Sequence, residues 1–221
     1  MKSNNISASR IRFALALILA ALAAGCASRG YQKSDAAAAT LQSAAGEVQS
    51  EARALDVTLN SLNDLVNKPP PDLKLQFEAF SSNLNQLNIS ARRNESMLRR
   101  VAQKSAAYFA AWDKEIETMS YEAVKTRSRE RRNEVYASFD SVYRRYQETQ
   151  ATVGSLLDYF QDIRKALSAD LTAGGLEAMK ASISNVNTNA EKVGTGLSKL
   201  ADELAAVGTR MSSVTVQNTQ P

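Results

Sequence analysis

The chain of 221 residues contains no histidine and a single cysteine, Cys26. It therefore lacks the commonest general base and the commonest metal ligand, and it cannot form an intramolecular disulfide. Its 27 basic residues face 23 acidic ones, but three of the basic residues precede residue 13, so the remainder is nearly neutral. This balance argues against nucleic acid as a partner, because nucleic-acid binding needs a surplus of positive charge.

Residues 1–25 have the organisation of a secretory signal peptide. Basic residues precede an apolar run of twelve residues, 13–24, which is shorter than the roughly 20 residues that span a bilayer. The sequence Leu22-Ala23-Ala24-Gly25-Cys26 resembles the lipoprotein box of bacteria, although Ala23 stands where the box usually carries leucine. The resemblance implies that residues 1–25 are removed and that Cys26 is lipidated. The alternative is an ordinary cleaved signal in which the cysteine is incidental.

Beyond the signal, four segments carry apolar residues at alternating steps of three and four positions. The first segment has two such rows: Leu41, Val48, Leu55 and Leu62, and Ala38, Ala45, Ala52, Leu59 and Val66. A sustained 3.5-residue period keeps an apolar seam turned toward a partner helix. We predict a helical bundle over residues 34–211, after a lipidated linker at 26–33 and before a disordered tail at 212–221. The predicted helices span about 34–67, 72–118, 121–171 and 176–211.

Breaks in the pattern separate these helices. Pro69-Pro70-Pro71 cannot continue a helix, and Gly174-Gly175 would end the third helix with residues that tolerate left-handed backbone. A turn near 118–121 is predicted only from a slip of the heptad register, and one continuous helix of about 100 residues is the alternative. With the turn in place, the pattern predicts an all-α fold, an elongated antiparallel up-down-up-down four-helix bundle or coiled coil. Asn94, at a seam position, would fix its register.

The unequal helix lengths predict that residues 107–135 protrude as a two-helix hairpin, roughly 20 Å long at about 1.5 Å per residue. Its tip would lie at the same end as the start of the first helix, and so beside Cys26. Residues 90–134 carry eleven basic and seven acidic side chains. The candidate contact residues are the apolar Tyr108, Phe109, Trp112 and Ile116 and the basic Lys125, Arg127, Arg129, Arg131 and Arg132.

The sequence leaves several interpretations of this hairpin open. Aromatic rings with nearby lysine and arginine suit a lipid headgroup boundary. The same side chains suit a protein partner. Alternatively, Trp112 and Tyr108 pack between the second and third helices, and the arginines form a solvated face.

Short stretches of the chain resemble a family of proteobacterial envelope proteins catalogued as domain of unknown function 2959. They are Tyr108-Phe109-Ala-Ala-Trp112-Asp113-Lys114-Glu115-Ile116, Asp162-Ile163-Arg164 and Asp170-Leu171-Thr172-Ala173-Gly174. The likeness covers about residues 31–210 and implies a helical, coiled-coil-rich secreted protein, without a known activity or catalytic residues. The lipoprotein resemblance adds a location. Ala27 follows the cysteine, whereas aspartate there commonly retains lipoproteins at the inner membrane, so an outer-membrane protein facing the periplasm is the expectation.

We therefore expect a lipid-anchored periplasmic coiled-coil protein of the cell envelope that is not an enzyme. Its role would be structural or adaptor-like, acting through helix surfaces on an unidentified protein partner. We expect no metal, no nucleic acid and no cofactor apart from the covalent lipid on Cys26. The alternative function is a lipid-handling bundle that binds an acyl chain or a membrane surface, with the alanine-rich seam of the first helix (Ala38, Ala45 and Ala52) as the face that opens.

Overall fold

The computed structural model describes residues 30–67 and 72–214, and the regular structure within them is helical. Helix α1 spans Gly30–Asn67, α2 Lys74–Thr118, α3 Glu122–Ala169 and α4 Ala173–Met211. Each helix packs against two neighbours, in the order α1, α2, α3, α4 and back to α1, and the backbones of diagonal helices stay more than 8 Å apart between Cα atoms. The chain is thus an antiparallel up-down-up-down four-helix bundle, and the predicted fold class is confirmed.

The chain reverses between α2 and α3 without glycine or proline. Met119 (φ −73°, ψ 132°) and Tyr121 (φ −91°, ψ 114°) adopt extended backbone. The Met119 N–H donates to Ile116 O at 3.2 Å, and the Val124 N–H donates to Tyr121 O at 3.0 Å. These bonds close the end of one helix and the start of the next, so the alternative of one continuous helix is wrong.

The turn between α3 and α4 differs from the prediction. Helix α3 ends at Ala169 and α4 begins at Ala173, so Gly174 and Gly175 lie in the first turn of α4 and do not end α3. The Thr172 side chain caps α4, its hydroxyl accepting from the Gly175 N–H at 3.2 Å. No glycine among the described residues has a positive φ. Gly175 is required by space instead, because an added Cβ would lie 2.1 Å from the Asp170 carbonyl oxygen.

Helix α1 has two buried rows of residues, as predicted, but one of them lies one position earlier in the sequence than the predicted row. The row Leu41, Val48, Leu55 and Leu62 is buried as predicted. The second fully buried row is Ala37, Ala44, Glu51, Thr58 and Leu65, whereas Ala52, Leu59 and Val66 are only partly buried. The prediction favoured the more apolar row. Helix α1 packs against both α2 and α4. Near the start of the helix, these two neighbours therefore bury residues on both sides of the predicted row. Glu51 and Thr58 lie further along and are buried as well.

The two halves of the bundle are packed differently. Alanines on α1 allow α4 to approach so closely that a Cβ at Gly208 would lie 3.1 Å from the Ala38 carbonyl oxygen. Helix α3 places large rings in the core instead, among them Phe139, Tyr146 and Phe160. Clefts of about 250, 250 and 370 Å³ lie between α3 and α4. The alanine face of α1 is therefore tightly closed against α4, whereas the α3–α4 interface contains clefts.

The end of α4 is fastened to the start of α1. The Ser34 hydroxyl donates to the Met211 carbonyl oxygen. Both oxygens of Asp35 accept from Ser213, one from its N–H and one from its hydroxyl, each at 2.7 Å. These bonds lower the pKa of Asp35. They set the level at which α4 ends beside the first turns of α1, and α2 and α3 continue beyond the start of α1.

Two glycines of α4 offer a matched test of this packing. Gly208→Ala is expected to destabilise the protein by about 1–3 kcal/mol, because the new Cβ overpacks a closed interface. Gly196→Ala is expected to stabilise it by about 0.5–1 kcal/mol, since nothing lies within 4 Å of a Cβ there. Urea unfolding followed by circular dichroism measures both changes. Equal effects of the two substitutions would contradict the close approach at Gly208.

Candidate functional site

A two-helix hairpin protrudes from one end of the bundle. Met211, the last residue of α4, lines a cleft with Val135 of α3, and Tyr108 of α2 is hydrogen-bonded to Ser34 of α1. Past these levels only the first turn of α1 accompanies α2 and α3. We call residues 109–134 the hairpin. From Tyr108 to Thr118 the helix rises about 15 Å at 1.5 Å per residue, and α1 from Gly30 to Ser34 flanks about 6 Å of this rise.

The apolar candidate residues face the inside of the hairpin and its base. Tyr108, Phe109 and Ile116 are buried, with 8%, 4% and 2% of their surfaces exposed. Burial raises the pKa of Tyr108, and the bond to Ser34 and the charge of Arg131 oppose this rise. Trp112 is half-buried, and its Nε1–H donates to the Ser128 hydroxyl at 3.0 Å. Phe109 and Trp112 hold α2 against α3 through Tyr136, Phe139 and Ser128, whereas Tyr108 contacts Ser34 of α1. The apolar candidate residues do not form an outer apolar surface.

The basic candidate residues are all paired with carboxylates. The nitrogen–oxygen distances are 3.4 Å for Lys125–Glu117, 2.8 Å for Arg127–Glu130, 3.4 Å for Arg129–Glu117, 3.0 Å for Arg131–Glu134 and 2.8 Å for Arg132–Asp113. Arg132 also lies over the rings of Phe109 and Tyr136, at 5.2 and 5.0 Å. Arg132 and Lys125 are largely covered, whereas Arg127, Arg129 and Arg131 are exposed.

The hairpin carries no net charge. Residues 109–134 contain six basic and six acidic side chains. The positive excess counted over residues 90–134 comes from Arg92, Arg93, Arg99, Arg100 and Lys104, which lie on α2 alongside the bundle and are exposed. The charge that suggested a membrane contact is therefore on the body of the protein and not on its protruding end.

The exposed apolar side chains of the hairpin lie at its turn. Tyr121 is 80% exposed and Val124 is 56% exposed. We call these two residues the tip. Neither was among the candidate contact residues, which were chosen for aromatic and basic character along the seam. Tyr121 is the residue before α3 and Val124 lies in its first turn, so their position beside the chain reversal is the signal that identifies them.

A second polar cluster lies inside the bundle. Glu51 of α1 is fully buried, and its Oε2 accepts from Asn94 Nδ2 at 2.9 Å and from Gln150 Nε2 at 2.8 Å. The Tyr146 hydroxyl donates to Asn94 Oδ1 at 2.9 Å. We call Glu51, Asn94, Tyr146 and Gln150 the polar layer. It joins α1, α2 and α3, with Asn94 bonded both to Glu51 of α1 and to Tyr146 of α3.

The polar layer leaves one atom unsatisfied. Glu51 Oε1 is buried without a hydrogen-bond partner. Burial raises the pKa of Glu51 to about 7, while the bonds from Gln150 and Asn94 act to lower it and the charge of Glu95 adds to the rise. Burial also raises the pKa of Tyr146. Sequence reasoning missed Glu51, although it continues the seven-residue row of Ala37, Ala44, Thr58 and Leu65.

Other features of the described residues carry less chemistry. The largest cleft, about 890 Å³, lies at the end opposite the hairpin and is lined by residues such as Leu73, Leu176 and Lys180. Residues 30–67 and 72–214 contain no group of three or more acidic residues, histidines or cysteines placed to hold a metal ion. No helix within these ranges is long and apolar enough to cross a membrane. Cys26 lies outside them.

The fold defines the class of the molecule: a long antiparallel helical bundle with an internally packed, protruding hairpin. The chain belongs to the family described as "Protein of unknown function (DUF2959)", whose sequence profile matches residues 24–205. The family membership expected from residues such as Tyr108 to Ile116 is thereby confirmed, and Cys26 falls inside the matched range. No curated protein and no solved structure matches the chain.

Proposed function

We propose that the protein is a lipid-anchored periplasmic component of the cell envelope with a structural or adaptor role, held at the outer membrane through Cys26. It is not an enzyme in this proposal; it acts by presenting the hairpin to a protein partner. The observation that carries the proposal is the hairpin itself, in which Trp112 is hydrogen-bonded to Ser128 across the two helices and the tip leaves Tyr121 and Val124 in solvent. Exposed apolar side chains on a rigid projection are a feature of contact surfaces.

The start of α1 and the hairpin are at the same end of the bundle. Helix α1 begins at Gly30, four residues after Cys26, and four residues extend at most about 14 Å. The hairpin extends about 15 Å past the level of Ser34. With Cys26 held by lipid, the tip would work in a narrow layer next to the membrane, where a partner of the same membrane is within reach.

A protein partner is favoured over lipid headgroups. Attraction to anionic lipid needs net positive charge, whereas the hairpin is electroneutral and its candidate basic residues are in ion pairs. Exposed ion pairs add little stability, but each one reduces the charge that is free to face a membrane. The contact proposed here therefore uses Tyr121 and Val124, with the surrounding charged pairs as its rim.

Site-specific photo-crosslinking in intact cells tests this proposal. A photoreactive residue in place of the exposed Ser120, beside the tip, is expected to give one discrete protein adduct. The same residue in place of the exposed Lys180, at the opposite end, is expected to give none. Combining Ser120 labelling with Tyr121→Ser and Val124→Ser should abolish the adduct. Crosslinks to phospholipid alone would support membrane contact instead, and identical adducts from both ends would contradict a role for the hairpin.

The lipid-handling bundle remains a second candidate because of the clefts between α3 and α4. The opening face would then be this interface and not the alanine seam of α1, where Ala37, Ala38 and Ala44 are closed against their neighbours. The clefts are lined by polar as well as apolar side chains, including Arg145 and Lys192. Non-covalently bound lipid in native mass spectra of the purified protein would favour this candidate.

A further inference from the structure

The buried polar layer has a composition that purely structural packing does not require. A neutral amide pair would connect three helices without placing a carboxyl group in the core. Glu51 instead brings an ionisable group to a position with no solvent exposure, and only one of its two oxygens is hydrogen-bonded. A charged carboxylate usually accepts several bonds when it is buried.

Among the described residues, no lysine or arginine is paired with Glu51, and its hydrogen-bond donors are the neutral Asn94 and Gln150. On its own helix the nearest acidic residue in sequence is Glu47, whose carbonyl oxygen accepts from Asn94 at 3.2 Å. Helix α2 contributes the charge of Glu95, which is exposed, and α3 contributes the neutral Tyr146 and Gln150. Next to Tyr146, Arg145 pairs with Glu203 of α4 and not with Glu51.

Helix α4 adds no charge to the core at this level. Gly194 lies near Asp56, and Gly208 lies near Ala38, so the stretch of α4 between them runs past Glu51. Its inward residues are Leu197, Leu200, Ala201 and Leu204, all buried and apolar. An ionised Glu51 is thus surrounded by hydrogen-bond donors on one oxygen and by apolar or like-charged groups elsewhere.

We propose that Glu51 is a proton-binding switch: uptake of a proton by its carboxyl group locks α3 against α1 and α2, and release of the proton loosens α3. Helix α3 is the element that responds, because Tyr146 and Gln150 are its links to this layer and because its interface with α4 already contains clefts. The close packing of α1 against α4 at Gly208 is unaffected by the proton.

The direction of the pH effect follows from the pKa of Glu51, which is about 7 in the folded protein against an ordinary value of 4.5. Between these values the folded state holds a proton that the unfolded state has released. The stability contributed by this group is therefore greatest at acidic pH and declines as the pH rises through this window. Above it, the folded protein contains a buried charge.

Amide hydrogen exchange on the full-length protein in mild detergent tests the switch, with rates corrected for the intrinsic effect of pH. Residues 139–153 of α3 are expected to exchange at least about tenfold more slowly near pH 5.5 than near pH 8. Glu51→Gln, which is neutral at every pH, should protect α3 equally at both. Asp56→Asn, a change of an exposed carboxylate on the same helix, should leave the wild-type pattern in place.

Two results would overturn the proposal. One is a wild-type pH dependence that persists in Glu51→Gln. The other is loss of α3 protection at both pH values in that variant, which would show that the layer needs the charged carboxylate. If Glu51→Gln fails to fold, infrared titration of the wild-type protein still tests the proposal. A protonated buried carboxyl band that disappears near pH 7 supports the switch, and its absence at about pH 5.5 contradicts it.

Discussion

Cys26→Ser is expected to move the protein from the membrane fraction to the soluble fraction. The three acyl chains of a bacterial lipoprotein contribute about 0.8 kcal/mol for each buried methylene group, enough to make anchoring effectively irreversible. Fractionation of cells with detection of the protein measures the change, and labelling with an alkyne fatty acid should be lost at the same time.

The ordinary-signal interpretation of the N-terminus gives a different result. If the cysteine is incidental, Cys26→Ser and wild-type protein distribute identically and neither incorporates the fatty acid. Ser28→Ala is the matched control, because it alters a neighbouring side chain and preserves the thiol. The mass of each product should also be measured. An uncleaved Cys26→Ser product that retains residues 1–25 could remain at the membrane through its apolar run, and only a processed product decides between the interpretations.

Asn94→Ala is expected to lower the free energy of unfolding by about 2–4 kcal/mol, because buried groups lose their hydrogen-bond partner and a cavity opens. The substitution deletes the Nδ2 donor to Glu51 and the Oδ1 acceptor of the Tyr146 hydroxyl. It also leaves a cavity where a fully buried side chain had been. Chemical denaturation near pH 7.5 measures the loss, and the effect should be smaller near pH 5, where Glu51 is neutral.

An exposed asparagine on the same helix provides the comparison. Asn85→Ala changes a solvent-facing side chain of α2 and is expected to alter stability by no more than about 0.5 kcal/mol. Replacing the whole layer with apolar residues (Glu51→Leu, Asn94→Leu, Tyr146→Phe and Gln150→Leu) should recover much of the stability lost in Asn94→Ala. A cost for Asn94→Ala no larger than that of Asn85→Ala would show that the layer contributes little.

The sequence determined the helices, their number and their topology. A 3.5-residue apolar period is a local property, and it predicts both the helical state and the need for a partner helix. The proline run after α1 and the register slip near 118–121 located two of the turns. The Gly174-Gly175 pair gave a wrong prediction for the third turn, because the conformational freedom of glycine was taken to indicate the turn itself. The actual constraint is the limited space beside Asp170, where only glycine fits.

The tertiary structure decided which side chains are inside. Two rows of α1 follow the same period: residues 37, 44, 51 and 58, and residues 38, 45, 52 and 59. Only the positions of α2 and α4 determine which of the two rows is covered. The less apolar row was buried, which placed Glu51 among Asn94, Tyr146 and Gln150. In the hairpin, likewise, the aromatic residues pair with each other across two helices, so Tyr121 and Val124 are left outside. The apolar pattern of a helix specifies that the helix must pack against a partner. The arrangement of the neighbouring helices specifies which of its side chains are buried.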